Sequence, residues 1–259
     1  NLNLTGGPRV FASSGSIGIC GTYTLGAGVI TTTGSTINFN GSGSQTIPAL
    51  NYNNLASSST GARTLASSGT IGVGGTFTPG TNTYTSTSST VDFNGTSAQT
   101  IPAFPNFNNL TISGARGSAT VTLANGTIAV AGTFNPSATA VTYVTTGNTF
   151  DYIGTGAQTI AGFNKYNNLS NSGNGARTLS SSANIVIEGI YSPTTAAVTV
   201  GTSTIDFSSA SSQTMPATFY YNVLNSGNGN RTWANSGIID INNAFSPTTA
   251  TNTITGSTL

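Results

Sequence analysis

The sequence predicts an all-β protein: a parallel β-solenoid (β-helix) of roughly 14 coils, about 18–20 residues per coil, with three coils in each longer repeat of about 54–59 residues. Three observations predict it. The composition leaves strands and turns as the available elements, a long motif recurs along the whole chain, and a shorter apolar period lies inside that motif.

Of 259 residues only 11 carry charge, six Lys or Arg and five Asp or Glu, with no His, so charged residues make up 4% of the chain. An ordinary soluble domain carries about 25%. A net charge of +1 provides no electrostatic footprint for nucleic acid. No stretch approaches the roughly 18 apolar residues of a membrane-spanning helix. The 33 Gly lack the three-residue period of collagen. Twelve Phe and nine Tyr argue against disorder, and the excess of β-branched and turn-forming residues argues against helix. The single cysteine, Cys20, excludes an internal disulfide, and its uncharged neighbours Ile19 and Gly21 do not favour a reactive thiolate. Asn1-Leu2-Asn3-Leu4 does not resemble a signal peptide, so a mature or excised chain is expected.

The long repeat is marked by Gln45-Thr46-Ile47-Pro48, which returns at Gln99-Thr100-Ile101-Pro102, Gln158-Thr159-Ile160 and Gln213-Thr214-Met215-Pro216. The intervals are about 54, 59 and 55 residues. Tyr52-Asn53-Asn54-Leu55 recurs in step at residues 107–110, 166–169 and 221–224. Inside this repeat, apolar residues return about every 18 positions, which is too long for a helical stripe. One predicted core column runs through Ile37, Leu55, Val73, Val91, Leu110, Leu169 and Ile205, with further members from Leu2 to Leu259 that include Ile19, Val130, Phe150 and Ile187. A second runs through Ile47, Leu65, Ile101, Ile160 and Met215, with Phe11, Val29, Thr83, Leu123, Val141, Leu179, Val198 and Trp233 completing it. Patches such as Val91-Asp92-Phe93 place apolar residues two apart, on one face of a strand. Gly, Asn, Ser and Pro fill the gaps as turn formers. Pro48, Pro102 and Pro216, and Pro79, Pro136, Pro193 and Pro247, mark corners, because proline cannot donate to a central ladder. Stacked at about 4.8 Å, 14 coils make a rod about 65 to 70 Å long. The longer third repeat, residues 94–152, is expected to bulge at corners and keep its columns in register. The whole chain, 1–259, reads as one continuous array cut within a repeat at both ends.

Asp92, Asp151 and Asp206 share one repeat position, held by Asn38 in the first copy. Copies three coils apart stand about 14 Å from each other, too far for a glycosidase pair at about 5 to 9.5 Å, so no enzyme is expected and these carboxylates read as outward residues. With Glu188 and Asp240 they form no calcium repeat, and one Cys without His excludes a zinc site; no cofactor is expected. Arg9, Arg63, Arg177 and Arg231 fall at one repeat position, with Arg116 slightly displaced and Lys165 extra; they read as solubilising groups at a corner, with contact to acidic glycans as the alternative. Thr46, Thr64, Thr100, Thr159, Thr178, Thr214 and Thr232 adjoin the second column and by alternation face outward, as do Thr122 and Thr142. Asn82 and Ala197 interrupt that ladder. It is a candidate surface-contact array, such as ice-binding solenoids use.

Segments such as Gly69-Thr70-Ile71-Gly72-Val73-Gly74-Gly75-Thr76-Phe77 and Ser89-Thr90-Val91-Asp92-Phe93-Asn94-Gly95 resemble repeats of giant secreted bacterial surface proteins. These are the β-helical, filamentous-haemagglutinin-like adhesins and the Ser/Thr/Gly/Asn-rich repeat proteins exported by type IX secretion. The resemblance implies an extracellular, cell-surface location and an adhesive or fibre-forming role, and it transfers no catalytic residue. The expected function is a structural repeat segment of a surface adhesin or fibre. Its partners are neighbouring repeats or subunits stacked end to end, and glycans or surfaces. A filament subunit stacking head to tail and an ice-binding solenoid are the alternatives.

Overall fold

The computed structural model describes residues 1–193 and 197–258. The chain forms two compact units, one comprising Asn1–Ala124 and Asn135–Val144, the other Asn125–Phe134 and Thr145–Leu259. Among the described residues there is no helix. Strands pair in parallel with the strand one winding away, as a β-solenoid requires.

In the first unit, Ser16–Ile19, Thr36–Phe39, Asn54–Ser57 and Phe77–Thr78 stack as one sheet. Asn51–Tyr52, Thr70–Val73, Thr90–Phe93 and Asn109–Ile112 stack as another. The Gln-Thr-Ile motif lies in a third, Gln45–Ile47, Arg63–Leu65 and Tyr84–Thr85, and the same motif opens the sheet Gln99–Ile101, Thr120–Leu123 and Thr142–Val144. The second unit repeats the plan. Gly126–Val130, Asn148–Tyr152, Asn168–Ser170 and Tyr191–Ser192 stack in turn, as do Phe163–Tyr166, Asn184–Ile187, Thr204–Phe207, Phe219–Asn225 and Asp240–Pro247. Its motif sheets are Gln158–Ile160, Arg177–Leu179 and Val198–Thr199, then Gln213–Met215, Arg231–Trp233 and Asn252–Thr253.

The Tyr-Asn-Asn-Leu motif marks where a coil divides between two sheets. Asn53 separates Asn51–Tyr52 from Asn54–Ser57, so one stretch of chain belongs to two sheets. Thr70–Val73 stacks on its first half and Phe77–Thr78 on its second. Asn167 divides the second unit's copy in the same way, with Asn184–Ile187 on one half and Tyr191–Ser192 on the other. The following asparagine holds the fork. Asn54 Oδ1 accepts from Thr76 N and Oγ1 at 2.9 and 3.0 Å, and Asn168 Oδ1 accepts from Ile190 N at 2.8 Å.

The expected core residues are buried: Ile37, Leu55, Val73, Val91, Leu110, Leu169, Ile205, Ile47, Leu65, Ile101, Ile160 and Met215 are each at most 1% exposed. Their vertical neighbours differ from the expected column at each fork. Leu55 stacks on Phe77 rather than Val73, and Val91 stacks on Ile71 and Leu110. Likewise Ile128 aligns with Phe150 and Ile185 with Ile205, where Val130 and Ile187 were expected. Residues two apart share one strand face, so both members of each pair are buried and an apolar period alone cannot choose between them. Val29 is 71% exposed and Thr83 is exposed, so neither belongs to the second column; Tyr84, not Thr83, faces the core. Leu259 lies outside the described residues. Among the described residues the windings number about 12 rather than 14, because a coil that contains a fork is longer than the 18–20 residues expected: Leu55 pairs with Phe77 and Leu169 with Tyr191, 22 positions on.

Prolines close strands as expected. Pro48 and Pro216 follow their strands directly, and Pro136 and Pro247 are strand-final residues. Their carbonyls and those nearby anchor core phenols: Tyr52 OH donates to Pro48 O, Tyr84 OH to Pro79 O and Tyr220 OH to Pro216 O, at 2.9, 3.0 and 2.8 Å.

Candidate functional site: coil corners and threonine faces

Each motif strand is three residues whose side chains point in, out and in. In Gln45–Ile47, Arg63–Leu65, Gln158–Ile160, Arg177–Leu179, Gln213–Met215 and Arg231–Trp233 the outer two are buried and the threonine is exposed. The alternation that turns threonine out therefore turns Gln and Arg inward. They point into the corner that precedes the strand, where the backbone leaves the ladder and its polar groups need other partners.

The glutamines fill one corner. Gln45 Nε2 donates to Ile19 O and Gly21 O at 2.6 and 2.7 Å, while its Oε1 accepts from Gly41 N at 2.8 Å. Gln99, Gln158 and Gln213 repeat this set with Val73 and Gly75, Val130 and Gly132, and Ile187 and Gly189 as acceptors. An amide suits the place because it both donates and accepts.

The arginines fill the next corner, which corrects their reading as solubilising surface groups. Arg63, Arg177 and Arg231 are 0% exposed and Arg116 is 2% exposed. Arg63 Nη2 donates to Phe39 O, Gly41 O and Ser58 O at 2.8, 3.0 and 2.8 Å, and Nη1 donates to Gly61 O, Ala62 O and Gly43 O at 2.7, 3.1 and 3.3 Å. The acceptors belong to two successive coils, so one guanidinium ties them together. Arg177 Nη2 reaches Tyr152 O and Gly154 O at 2.9 and 3.0 Å, and Nη1 reaches Gly175 O at 2.6 Å. Arg231 Nη2 reaches Phe207 O and Ser209 O at 2.6 and 3.0 Å. The Nη donors of the planar fork match a ring of carbonyls, a geometry that an ammonium does not share, while Nε of Arg63, Arg116, Arg177 and Arg231 is buried without a partner. Arg9 stays exposed, bonded to Gly7 O and Pro8 O.

The third repeat carries Val121 where the others carry Arg, paired with Gln99 as Arg63 is paired with Gln45. The corner, residues 113–119, is longer than residues 58–62, so the extra residues do bulge at a corner. From this loop Arg116 reaches back to Phe93 O, the counterpart of Phe39 O, and to Gln99 Oε1 at 2.6 Å.

The aspartates clasp the following coil. Ser113 Oγ donates to Asp92 Oδ2 at 2.9 Å. Ser172 donates through N and Oγ to Asp151 at 2.9 and 2.6 Å, and Ser226 does the same to Asp206 at 3.0 and 2.8 Å. Asn38, in the first copy, accepts from Ser58 Oγ at 3.1 Å. Asp206 is 5% exposed, so it is covered rather than an open outward carboxylate. Strand neighbours of the three aspartates are Gly72 and Thr111, Ala129 and Ser170, and Val186 and Leu224, none of them acidic. Burial lowers the pKa of Arg63, Arg116, Arg177 and Arg231, and the fields of Asp92, Asp151 and Asp206 counter this at the last three. Burial raises the Asp92 pKa, opposed by the Ser113 hydrogen bond and by Arg116. Lys165 Nζ meets Glu188 Oε1 at 2.6 Å.

The threonines remain outside. Thr46 aligns with Thr64 and Thr64 with Thr85; Thr100 aligns with Thr122; Thr159 aligns with Thr178 and Thr178 with Thr199; Thr214 aligns with Thr232 and Thr232 with Thr253. Thr85 and Thr199 thus occupy the rows that Asn82 and Ala197 were expected to interrupt, and Asn82 turns to Ser59 O and Gly61 O at 3.0 and 2.7 Å. Thr142 aligns with Thr120, leaving Val144 opposite Thr122. Val144 apart, each row is a single file of hydroxyls about 4.8 Å apart, and no charged side chain stands in it. The signal for the buried Gln and Arg side chains is the same alternation, which turns the residue before each outward threonine toward the interior. Comparison with protein-family models, curated proteins and solved structures returns no match.

Proposed function

We propose that the chain is a structural repeat segment of an extracellular bacterial surface adhesin or fibre, in which riveted coils carry load and the threonine rows meet the attachment surface. The observation that carries this reading is the division of labour within three residues. In Arg177-Thr178-Leu179, the charged group is spent on holding coils together, the apolar group on the core, and only a neutral hydroxyl is offered outward. The same division at Gln45–Ile47, Arg63–Leu65 and Gln213–Met215 supports a scaffold whose exterior is uniform along its windings. Neighbouring repeats or subunits are its structural partners, and glycans or other hydroxylated surfaces its adhesive ones.

The test is adhesion of beads coated with the purified chain to bacterial and host-cell surfaces and to a glycan panel, comparing wild type with Thr64→Asp. Thr64 lies exposed between Thr46 and Thr85, so a carboxylate there interrupts a row without entering the core. Adhesion should fall about tenfold, the effect of roughly 1.4 kcal/mol, with the unfolding midpoint unchanged. Wild-type adhesion by the variant, or none by either protein, counts against an adhesive role.

A further inference from the structure

We infer that the carbonyl cage at each arginine corner is a guanidinium-selective binding site in its own right, built by the backbone of two successive coils and indifferent to the chain position that delivers the group. Four observations carry this. First, the cages recur with the same construction. The acceptors Phe39, Gly41 and Gly43 in one correspond to Tyr152, Gly154 and Gly156 in the next and to Phe207, Ser209 and Ser211 in the last. Second, in the third repeat the strand position is Val121, yet a guanidinium still arrives, from Arg116 in the preceding loop, and still bonds the corresponding carbonyl of Phe93. The carbonyls of the preceding coil are common to all four corners, with Ser97 O standing where Gly43 O stands; the route of the side chain is not.

Third, the wall of the cage excludes side chains. A Cβ at Gly61, Gly175 or Gly229 would stand 2.0, 1.9 or 1.9 Å from the carbonyl oxygen of Gly43, Gly156 or Ser211. Those glycines let two coils approach until their carbonyls converge on one planar cation. Fourth, a carboxylate is not required. Asp151 and Asp206 stand near Arg177 and Arg231, but the matching position beside Arg63 is Asn38, and Arg63 is as buried as the others. Carbonyl dipoles alone thus accommodate the charge. They do so by geometry: a planar fork places donors toward several acceptors at once, whereas an ammonium concentrates three donors on one atom.

The test uses the full chain with Arg177→Gly, which removes the side chain and leaves the cage to a free ligand. Since the site is fully enclosed, the protein is refolded in the presence of the probe. Unfolding midpoints in urea are measured with ethylguanidinium at about 10 mM, far below the molar range at which guanidinium unfolds proteins, and with ethylammonium at the same concentration. Ethylguanidinium should restore about half of the lost midpoint, in a saturable way, and ethylammonium should restore none. Equal restoration by both, or by neither, overturns the inference. Should Arg177→Gly fail to fold with or without probe, the third repeat decides. Arg116→Ala should lower the midpoint and the double variant Arg116→Ala/Val121→Arg should regain it, because the strand position then supplies the group. A double variant no more stable than Arg116→Ala overturns the inference.

Discussion

The corner closed by Arg177 and the corner closed by Arg116 solve one problem in two ways. In the first, a short turn, residues 171–176, brings the chain straight to a strand whose leading residue is the arginine, and its guanidinium spans the carbonyls of Tyr152, Gly154 and Gly175. In the second, the turn is longer, the strand opens on Thr120 and Val121, and the arginine sits inside the turn itself, bonding Phe93 O and the Gln99 side chain. The difference teaches that the fold demands a cation among converging carbonyls at that height of the stack and tolerates variation in loop length around it. An insertion is absorbed where the backbone is already irregular, while the core columns on either side keep their register.

The comparison can be broken most severely at the cation. Replacing Arg177 by Met leaves several buried carbonyls without donors, and each unmet group costs about 1–3 kcal/mol. A loss of about 4 kcal/mol is expected in urea unfolding, against about 2 kcal/mol for Arg116→Met, because Gln99 Oε1 keeps its bond from Gly95 N and fewer acceptors lose a donor. Equal losses would mean that the two corners bear the same load. Next comes the wall. Gly175→Ala forces a Cβ to 1.9 Å from Gly156 O and should cost about 3 kcal/mol, in the range of overpacking. In the longer corner, Gly117 has open space around it but a φ of 56°, so Gly117→Ala should cost only the left-handed backbone penalty of about 1 kcal/mol. Thermal midpoints of the two alanine variants, ranked in that order, check the claim.

Alkaline pH acts on both corners together. Burial raises the pKa of Tyr143 beside Arg116, and pushes that of Tyr152 beside Arg177 up to about 12. Tyr23 and Tyr84 are likewise raised to about 12, and burial also raises Tyr52, Tyr166 and Tyr220 well above the ordinary phenol range. A folded phenol that holds its proton beyond the unfolded value near 10 contributes stability that is complete below pH about 10 and is lost as pH rises toward the folded value. Each such tyrosine steepens the fall by about 1.4 kcal/mol per pH unit. Urea midpoints should therefore be level from about pH 6 to 9, since the chain has no His, and collapse above about pH 10. The smallest effect is expected at Asp92. Its pKa is raised by burial, so its charged form is less favourable in the folded chain, and stability falls as pH rises from the unfolded value through the folded one. Asp92→Asn, the residue type already present at position 38, should be neutral or stabilising by under about 1 kcal/mol at pH 7, measured by the same unfolding curves.

Much of the architecture was legible in the sequence because β-structure writes its face assignment into alternation. Gln45-Thr46-Ile47 and its copies place one residue out and two in, and the threonine row followed directly. The fork at Asn53 was not legible. Val73 and Ile71 are equally apolar and equally inward, and which of them meets Val91 depends on where the previous coil divides. Nor was the fate of Arg63, Arg177 and Arg231 legible to a reading that took charge as a sign of solvent. Their burial depends on carbonyls from the preceding coil, residues more than twenty positions earlier.

The sequence by itself determined the repeat, the winding, the inward and outward residues of the motif strands, and a nearly uncharged exterior, because periodicity and alternation are local properties of an extended chain. Only the tertiary structure decided that Arg63, Arg116, Arg177 and Arg231 are internal fastenings. A corner carbonyl has no preferred partner until two coils are brought together, and the converging dipoles that hold a guanidinium exist only in the stacked backbone.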